Sequence, residues 1–396
     1  MNIMQYDIIY FIIFYNYLIF SCEDIMLDVE CFVNILNLSQ KEEYLLKLYI
    51  SKSVTKDEVH RLLYDFDYNI EKEKLTFNFL LAHLFQNNPD IEIPADIKPR
   101  LNGVLRMFQY QNATLLAGLK QLTLKLNDNN IPVLLVKGAA MRILEPNKSR
   151  MMSDVDCAVD IDNFDKAVKI SESLGFKISF SYGHATEVRR YPMQKIDIHK
   201  NFVKGDKDTR QTNKKIFERA KQYNFGGSKV LIPDAEDMIF LLLINGYENI
   251  IYFQPFYKNV SWLLDVIYIM KNRKDIDWNI VISDAKETET LAQIKLMFEL
   301  INHFLPNMVP NTVISSIKVS KQEYDINNAY TKKHLFFGKT QQLRDQVRDI
   351  VKANKKIDFI LVLKLTSQFF YLKIIQKTPI IKSLFFDKVA NRMFGI

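Results

Sequence analysis

The sequence is short of the residues that break helices and of those that cross-link a chain. Glycine and proline number 11 each in 396 residues. Long helices need few of either, so their scarcity favours a largely helical protein. The three cysteines, Cys22, Cys31 and Cys157, include no CxxC pair. They cannot form a disulfide framework, and with six scattered histidines they offer no zinc pattern. This usage fits a reducing compartment, and a cytoplasmic location is expected. No internal repeat and no low-complexity linker interrupts the chain.

A signal-peptide n-region is also missing. Residues 8–20, IIYFIIFYNYLIF, are strongly apolar, but nothing before Glu23 is basic and Asp7 is acidic. The segment is shorter than the roughly 20 residues a membrane span needs, so no stable insertion is expected. Three readings stay open: a start at Met26 with an over-called leader, a buried helix, or an anchor.

Charge of either sign is scarce in excess along most of the chain. The net charge is +7, yet residues 351–396 alone hold nine Lys or Arg and two Asp. The remainder is balanced, so any basic surface belongs to the tail. Two readings compete there. Its aromatics, such as Phe359, Phe369, Tyr371 and Phe385, pack on a core and leave the lysines in water. Alternatively the tail guides a polyanion such as RNA.

What is present is ordinary for a soluble globular protein: 48% hydrophobic and 25% charged residues. The length implies two or three domains. From Met26 to about Asn129 the pattern is helical. Leu101, Val104, Leu105 and Phe108 recur at helical spacing, and Leu115, Leu116, Leu119 and Leu122 continue the stripe. His60 and His83 lie on shorter helices and read as packing or surface residues. Beyond Pro233, Asp234, Glu236 and Asp237 supply N-terminal chemistry for a second helical stretch.

Between these regions the pattern alternates strands and helices. An apolar run, Val133 to Val136, ends at Lys137-Gly138, and a second strand begins at Asp154-Val155-Asp156. Asp162 is expected to cap a helix running to Leu174, with Gly175 closing it. Strands are expected over 176–180, 186–191 and 195–199. Residues on a strand alternate faces, so Asp154 and Asp156 share a face, as do Asp197 and His199. Paired carboxylates on one face repel unless a cation or proton neutralises them, and oxygen ligands suit Mg²⁺. If the two strands are neighbours, Asp154, Asp156 and Asp197 converge and can hold two divalent cations roughly 3.5–4 Å apart. Such a site neutralises a triphosphate and its leaving pyrophosphate. Gly138, where a strand turns into a helix N-terminus, suits the approach of a phosphate. Lys137 and Arg150 flank that turn and can pair with phosphate oxygens, or are surface charges beside a loop. Cys157, on the opposite face, reads as a small core residue.

The ordered set KGAA, RMMSDVD and IDIH resembles the uncharacterised nucleotidyltransferase family of the polymerase-beta superfamily. Gly138 matches the turn glycine, Asp154 and Asp156 the DxD pair, and Asp197 the third acid. Arg150 and His199 match positions of the narrower family, and His184 falls where that family tends to carry a histidine. The resemblance covers about residues 100–300. It departs from the wider superfamily at Ala139, where Gly or Ser is usual, and in the long gap from Gly138 to Asp154.

The resemblance implies an α+β protein with a small mixed-sheet core flanked by helices. Its expected parts are an apolar leader (1–25), an N-terminal helical region (26–130), a nucleotidyltransferase core (131–232) and a C-terminal helical region with the basic tail (233–396). The implied reaction moves a nucleoside monophosphate from an NTP to a small-molecule, RNA or protein acceptor, with Mg²⁺ or Mn²⁺. Asp154, Asp156 and Asp197 are the expected metal ligands, with Asp197 as base. Lys137, Gly138 and Arg150 would meet the nucleotide. His184 and His199 are acceptor-facing or support the carboxylates. The alternative is a binding protein that keeps the fold and the nucleotide pocket without turnover.

Overall fold

The computed structural model describes residues 28–36, 38–51, 53–145, 150–203, 209–252 and 256–331, without the side chains of 256–259. The apolar leader and the basic tail lie outside the described residues. Among the described residues five helices come first: α1 (Val29–Leu36), α2 (Gln40–Ile50), α3 (Lys56–His60), α4 (Leu75–Asn87) and α5 (Lys98–Asp128). A π turn, Arg61–Asp65, continues α3. Capping boxes start two of them, Ser39 with Glu42 and Thr55 with Glu58, each side chain serving the other residue's backbone N–H. The stripe expected on α5 is the face it buries, through Leu101, Leu105, Phe108, Leu115, Leu119 and Leu122. His83 is buried on α4, with Nδ1 2.8 Å from the Tyr49 hydroxyl.

A seven-stranded mixed sheet follows, in the order β3-β4-β5-β2-β1-β7-β6. Its strands are β1 (Leu134–Leu135), β2 (Val155–Ala158), β3 (Lys177–Ser181), β4 (Ala185–Arg190), β5 (Gln194–His199), β6 (Lys221–Phe225) and β7 (Ser228–Ile232). Helix α6 (Lys137–Leu144) joins β1 to β2, α7 (Phe164–Ser173) joins β2 to β3, and α8 (Arg210–Arg219) precedes β6. The β2–β5 and β1–β7 pairs are parallel and the other four are antiparallel. Helix α7 lies against β3, β4 and β5, and α5 against β5 and β7. Ile196, Ile198 and Val188 are fully buried, and alternation sends their neighbours Asp197, His199 and Glu187 to the opposite face.

The start of α7 differs from the sequence expectation. Asp160 accepts from the Asp162 N–H and opens a 3₁₀ turn, Ile161–Asn163, which leads into the helix at Phe164. Asp162 therefore sits inside the turn, because the cap falls two residues earlier. The β6–β7 hairpin has no counterpart in the sequence reading. Its β6 strand carries exposed polar residues and forms the edge of the sheet, while β7 lies inside it and buries Val230 and Ile232.

Helices α9 (Ala235–Ile251), α10 (Phe256–Asn272), α11 (Trp278–Glu287), α12 (Leu291–Phe304) and α13 (Asn311–Ser316) follow, then a helix over 321–331. Gly246 on α9 lets the Trp262 ring of α10 press onto the backbone, since a Cβ there would lie 2.3 Å from the ring. Arg219 at the end of α8 bridges Asp237 of α9 and Asp284 of α11 at 2.6 Å each. Both acids are buried, so removing the arginine would strand two carboxylates, a loss of about 3–5 kcal/mol. Among the described residues no helix is long and apolar enough to cross a membrane.

Candidate active site

The parallel register of β2 and β5 sets Val155 opposite Ile196, Asp156 opposite Asp197 and Ala158 opposite His199. Two acids 41 residues apart thus stand side by side on one face. Ligand atoms of Asp156, Asp197 and His199 all lie within 4.8 Å of one another.

Asp156 is well supplied with donors. Lys137 Nζ and His199 Nε2 each lie 2.9 Å from its Oδ1. Burial works to raise this carboxyl, but Lys137 and His199 outweigh it and hold Asp156 well below the usual carboxylate range. Burial likewise works to lower the Lys137 ammonium, and Asp156 overcomes it. Lys137 reaches Asp156 from an unusual backbone position, with φ at +51°. A side chain in the left-handed region costs energy and persists where surrounding contacts over-determine it.

Asp197 has the opposite environment. Its Oδ1 is buried with no hydrogen-bond partner among the described residues. Burial, then the charges of Asp156 and Asp154, push its carboxyl up to about 7. Lys195 opposes that rise but is engaged elsewhere, at 3.1 Å from Asp154 Oδ2 and 2.8 Å from Glu187 Oε2. Asp154 is accordingly turned onto a lysine, and Ser153 Oγ lies 3.2 Å from its Oδ1. Of the sequence-derived residues, the structure gathers Asp156, Asp197, His199 and Lys137 into one cluster and joins Asp154 to it through Lys195.

Gly138 opens α6, whose N-cap, Val136, offers no side-chain acceptor to the first-turn N–H groups. The room left by its missing Cβ is filled by Arg150, whose Nη1 would lie 2.0 Å from a Cβ built there. Arg150 is anchored in turn by Asp265 on α10, with Nε 2.8 Å from Oδ2. The glycine is thus needed for a guanidinium to cross the turn, which places a cation where the sequence suggested a phosphate would approach. From α5, Gln111 donates to the Met152 carbonyl at 2.7 Å and Asn112 donates to the Arg150 carbonyl. These bonds fix the segment entering β2.

His184 sits beside the cluster. Its ring stacks near His199 at 5.9 Å between centroids, and its carbonyl accepts from the Lys200 N–H at 3.0 Å. Cys157 is buried on the other side of the sheet, and burial pushes its thiol up out of any reactive range.

Sequence reasoning assigned no site role to Lys195 or Glu187, and offered Asp265 only as the end of a WLLD stretch similar to the family's C-terminal helices. Lys195 was within reach, since it lies two residues before Asp197 and alternation puts it on the same face. Glu187 needed the β4–β5 register, which pairs it with Asp197. Asp265 lies 115 residues beyond Arg150, and no local pattern links the two.

The donor set of two carboxylates and an imidazole, with one buried carboxylate oxygen unpartnered, fits a divalent cation. It suits Mn²⁺ as well as Mg²⁺, because an imidazole nitrogen is among the ligands.

A model of the family described as uncharacterised nucleotidyltransferase matches residues 70–306, which include every residue named in this cluster. Solved structures similar to the chain include the following. The solution structure of the antibiotic-resistance factor ANT(2'')-Ia is 12% identical, over 48% of this chain and 96% of that one, with a TM-score of 0.34. An antigenic nucleotidyltransferase-like protein from Paracoccidioides brasiliensis is 14% identical, over 54% and 96%, with a TM-score of 0.33. The lincosamide antibiotic adenylyltransferase LnuA, bound to lincomycin, is 15% identical, over 31% and 82%, with a TM-score of 0.25. No curated protein matches the chain.

Proposed function

The chain belongs to the uncharacterised nucleotidyltransferase family, and from that premise we propose metal-dependent transfer of a nucleoside monophosphate from an NTP to an acceptor hydroxyl or phosphate. The observation that carries this reading is the Asp156–Asp197 pair on parallel strands, one acid saturated with donors and the other left bare. Asp156, Asp197 and His199 would hold the cation, with Asp154 reaching it if Lys195 lets go. Bound there, Mg²⁺ or Mn²⁺ would supply neutralising charge to the triphosphate and lower the pKa of the attacking hydroxyl.

The chain's own groups have separable tasks. With a hydroxyl acceptor, Asp197 takes the proton as the oxygen forms its bond to the α-phosphorus. The bond from that phosphorus to the bridging oxygen breaks, and pyrophosphate leaves. Without a cation, burial and the neighbouring acids lift this carboxyl toward 7; a cation held beside it would offset that repulsion and keep the carboxylate ionised and able to accept the proton. Lys137 and Arg150, on either side of Gly138, offer cations to the phosphate oxygens near the uncapped start of α6.

The test is incubation of the protein with each NTP, Mg²⁺ and a cell lysate, followed by a mass-spectrometric search for nucleotide adducts. The reading expects an adduct whose mass gain is one nucleoside monophosphate, absent with Asp197→Asn. NTP binding without any adduct would instead leave a binding protein that keeps the fold.

A further inference from the structure

The sheet face that carries the acids also carries a line of aromatic rings. Phe180 on edge strand β3 and Tyr182 just beyond it are 57% and 53% exposed. Their centroids lie 6.4 Å apart, with 26° between the planes. Tyr182 and His184 follow at 5.8 Å and 23°, and His184 and His199 at 5.9 Å and 29°. The line therefore runs from solvent to the imidazole that touches Asp156. Register places it on the site face, because Phe180 lies opposite Glu187 and Glu187 opposite Asp197.

A row of cations crosses the same strands beside the rings. Lys177, Arg189 and Lys195 are cross-strand neighbours on β3, β4 and β5. Arg189 and Lys195 share Glu187. Lys177 is exposed, with no acidic partner among the described residues. Exposed rings in series beside a cation row suit a ligand with repeating planar groups and a charged backbone. Base stacking on aromatic side chains tolerates any sequence, and basic side chains track the phosphates. A compact acceptor would occupy one ring next to His199 and leave Phe180 and Tyr182 without a role.

We propose that the acceptor is the end of a single-stranded polynucleotide, stacked along Phe180, Tyr182 and His184 with its terminal hydroxyl at Asp197. The inference rests on the nucleotidyl-transfer reading and names its acceptor class.

The experiment is fluorescence anisotropy of the full-length protein with a 5′-labelled single-stranded RNA of mixed sequence and a free 3′ hydroxyl. The wild type is expected to bind this strand and to bind the blunt duplex of the same sequence far more weakly. Phe180→Ala/Tyr182→Ala should weaken binding at least about tenfold at an unchanged melting temperature, since both side chains are largely exposed. Phe180→Tyr/Tyr182→Phe, which keeps both rings, should restore it. Lys177→Ala should flatten the slope of log K against log salt by about 1.

No binding by the wild type in low salt overturns the proposal, as does unchanged affinity in the alanine variant. So does a wild-type dimer that the alanine variant converts to monomer, because a second copy then covers the rings. Thermal stabilisation by NTP with Mg²⁺, measured on the same preparations, reports on the nucleotide site separately. Its presence without strand binding overturns the acceptor assignment alone, and its absence overturns the nucleotide reading.

Discussion

Asp156 and Asp197 face each other across one rung of a parallel ladder, yet Asp156 Oδ1 meets two nitrogens at 2.9 Å while Asp197 Oδ1 meets no donor among the described residues. Lys137 commits its charge, and both Lys137 and His199 a hydrogen bond, to one acid. The other is left buried beside a like charge, and its carboxyl rises to about 7. The arrangement leaves one buried carboxylate oxygen without a donor beside a carboxylate that has two.

This asymmetry predicts a pH-dependent stability. The Asp197 carboxyl titrates at about 7 in the folded protein and at about 4 in an unfolded chain. The folded state therefore holds the proton more tightly, and stability falls as pH rises through that window. Asp197→Asn removes the dependence. Its melting temperature should exceed that of the wild type by a margin that widens from about pH 4 to pH 7 and levels off above. A margin independent of pH would show that the ionised carboxylate is not disfavoured.

Divalent cations should relieve the same repulsion. Millimolar Mg²⁺ or Mn²⁺ with NTP is expected to raise the melting temperature, and Asp156→Ala should abolish the rise. No shift with any pair of metal and NTP would contradict the ligand assignment.

The residues of the site were legible in the sequence where the signal is local. Alternation put Asp197 and His199 on one face of β5, and the KG turn marked the entry to α6. Period 2 tells which residues share a face but not which strands are neighbours. That β2 runs parallel to β5 while β1 pairs antiparallel with β2 depends on the packing of α5 and α7, which no window of residues contains. The capture of Asp154 by Lys195 and of Arg150 by Asp265 has the same origin. The edge strand β6 was illegible for another reason: Lys221–Phe225 is exposed and lacks the apolar run that marks a buried strand. The long helix α5 was the easiest element to read, because about six turns of stripe, from Leu101 to Leu122, leave little ambiguity.

Gly138 and Arg150 should behave as one unit. Gly138→Ala pushes a methyl group into a guanidinium that Asp265 holds in place, and should cost about 1–3 kcal/mol. Arg150→Ala strands Asp265, which is 1% exposed, and should cost about 3–5 kcal/mol. In the double variant the clash is gone, so urea titration should give a loss smaller than the sum. Strict additivity would show that the two residues do not share space.

The reaction proposed for this site is transfer of the α-phosphoryl group of an NTP together with its nucleoside. NTPs labelled with ³²P at the α or at the γ position, incubated with protein, Mg²⁺ and lysate, test it most directly. Label should move to the acceptor from the α position only, with the γ label recovered in pyrophosphate and both outcomes lost in Asp197→Asn. Transfer of the γ label to an acceptor, or no transfer of the α label, would contradict the account.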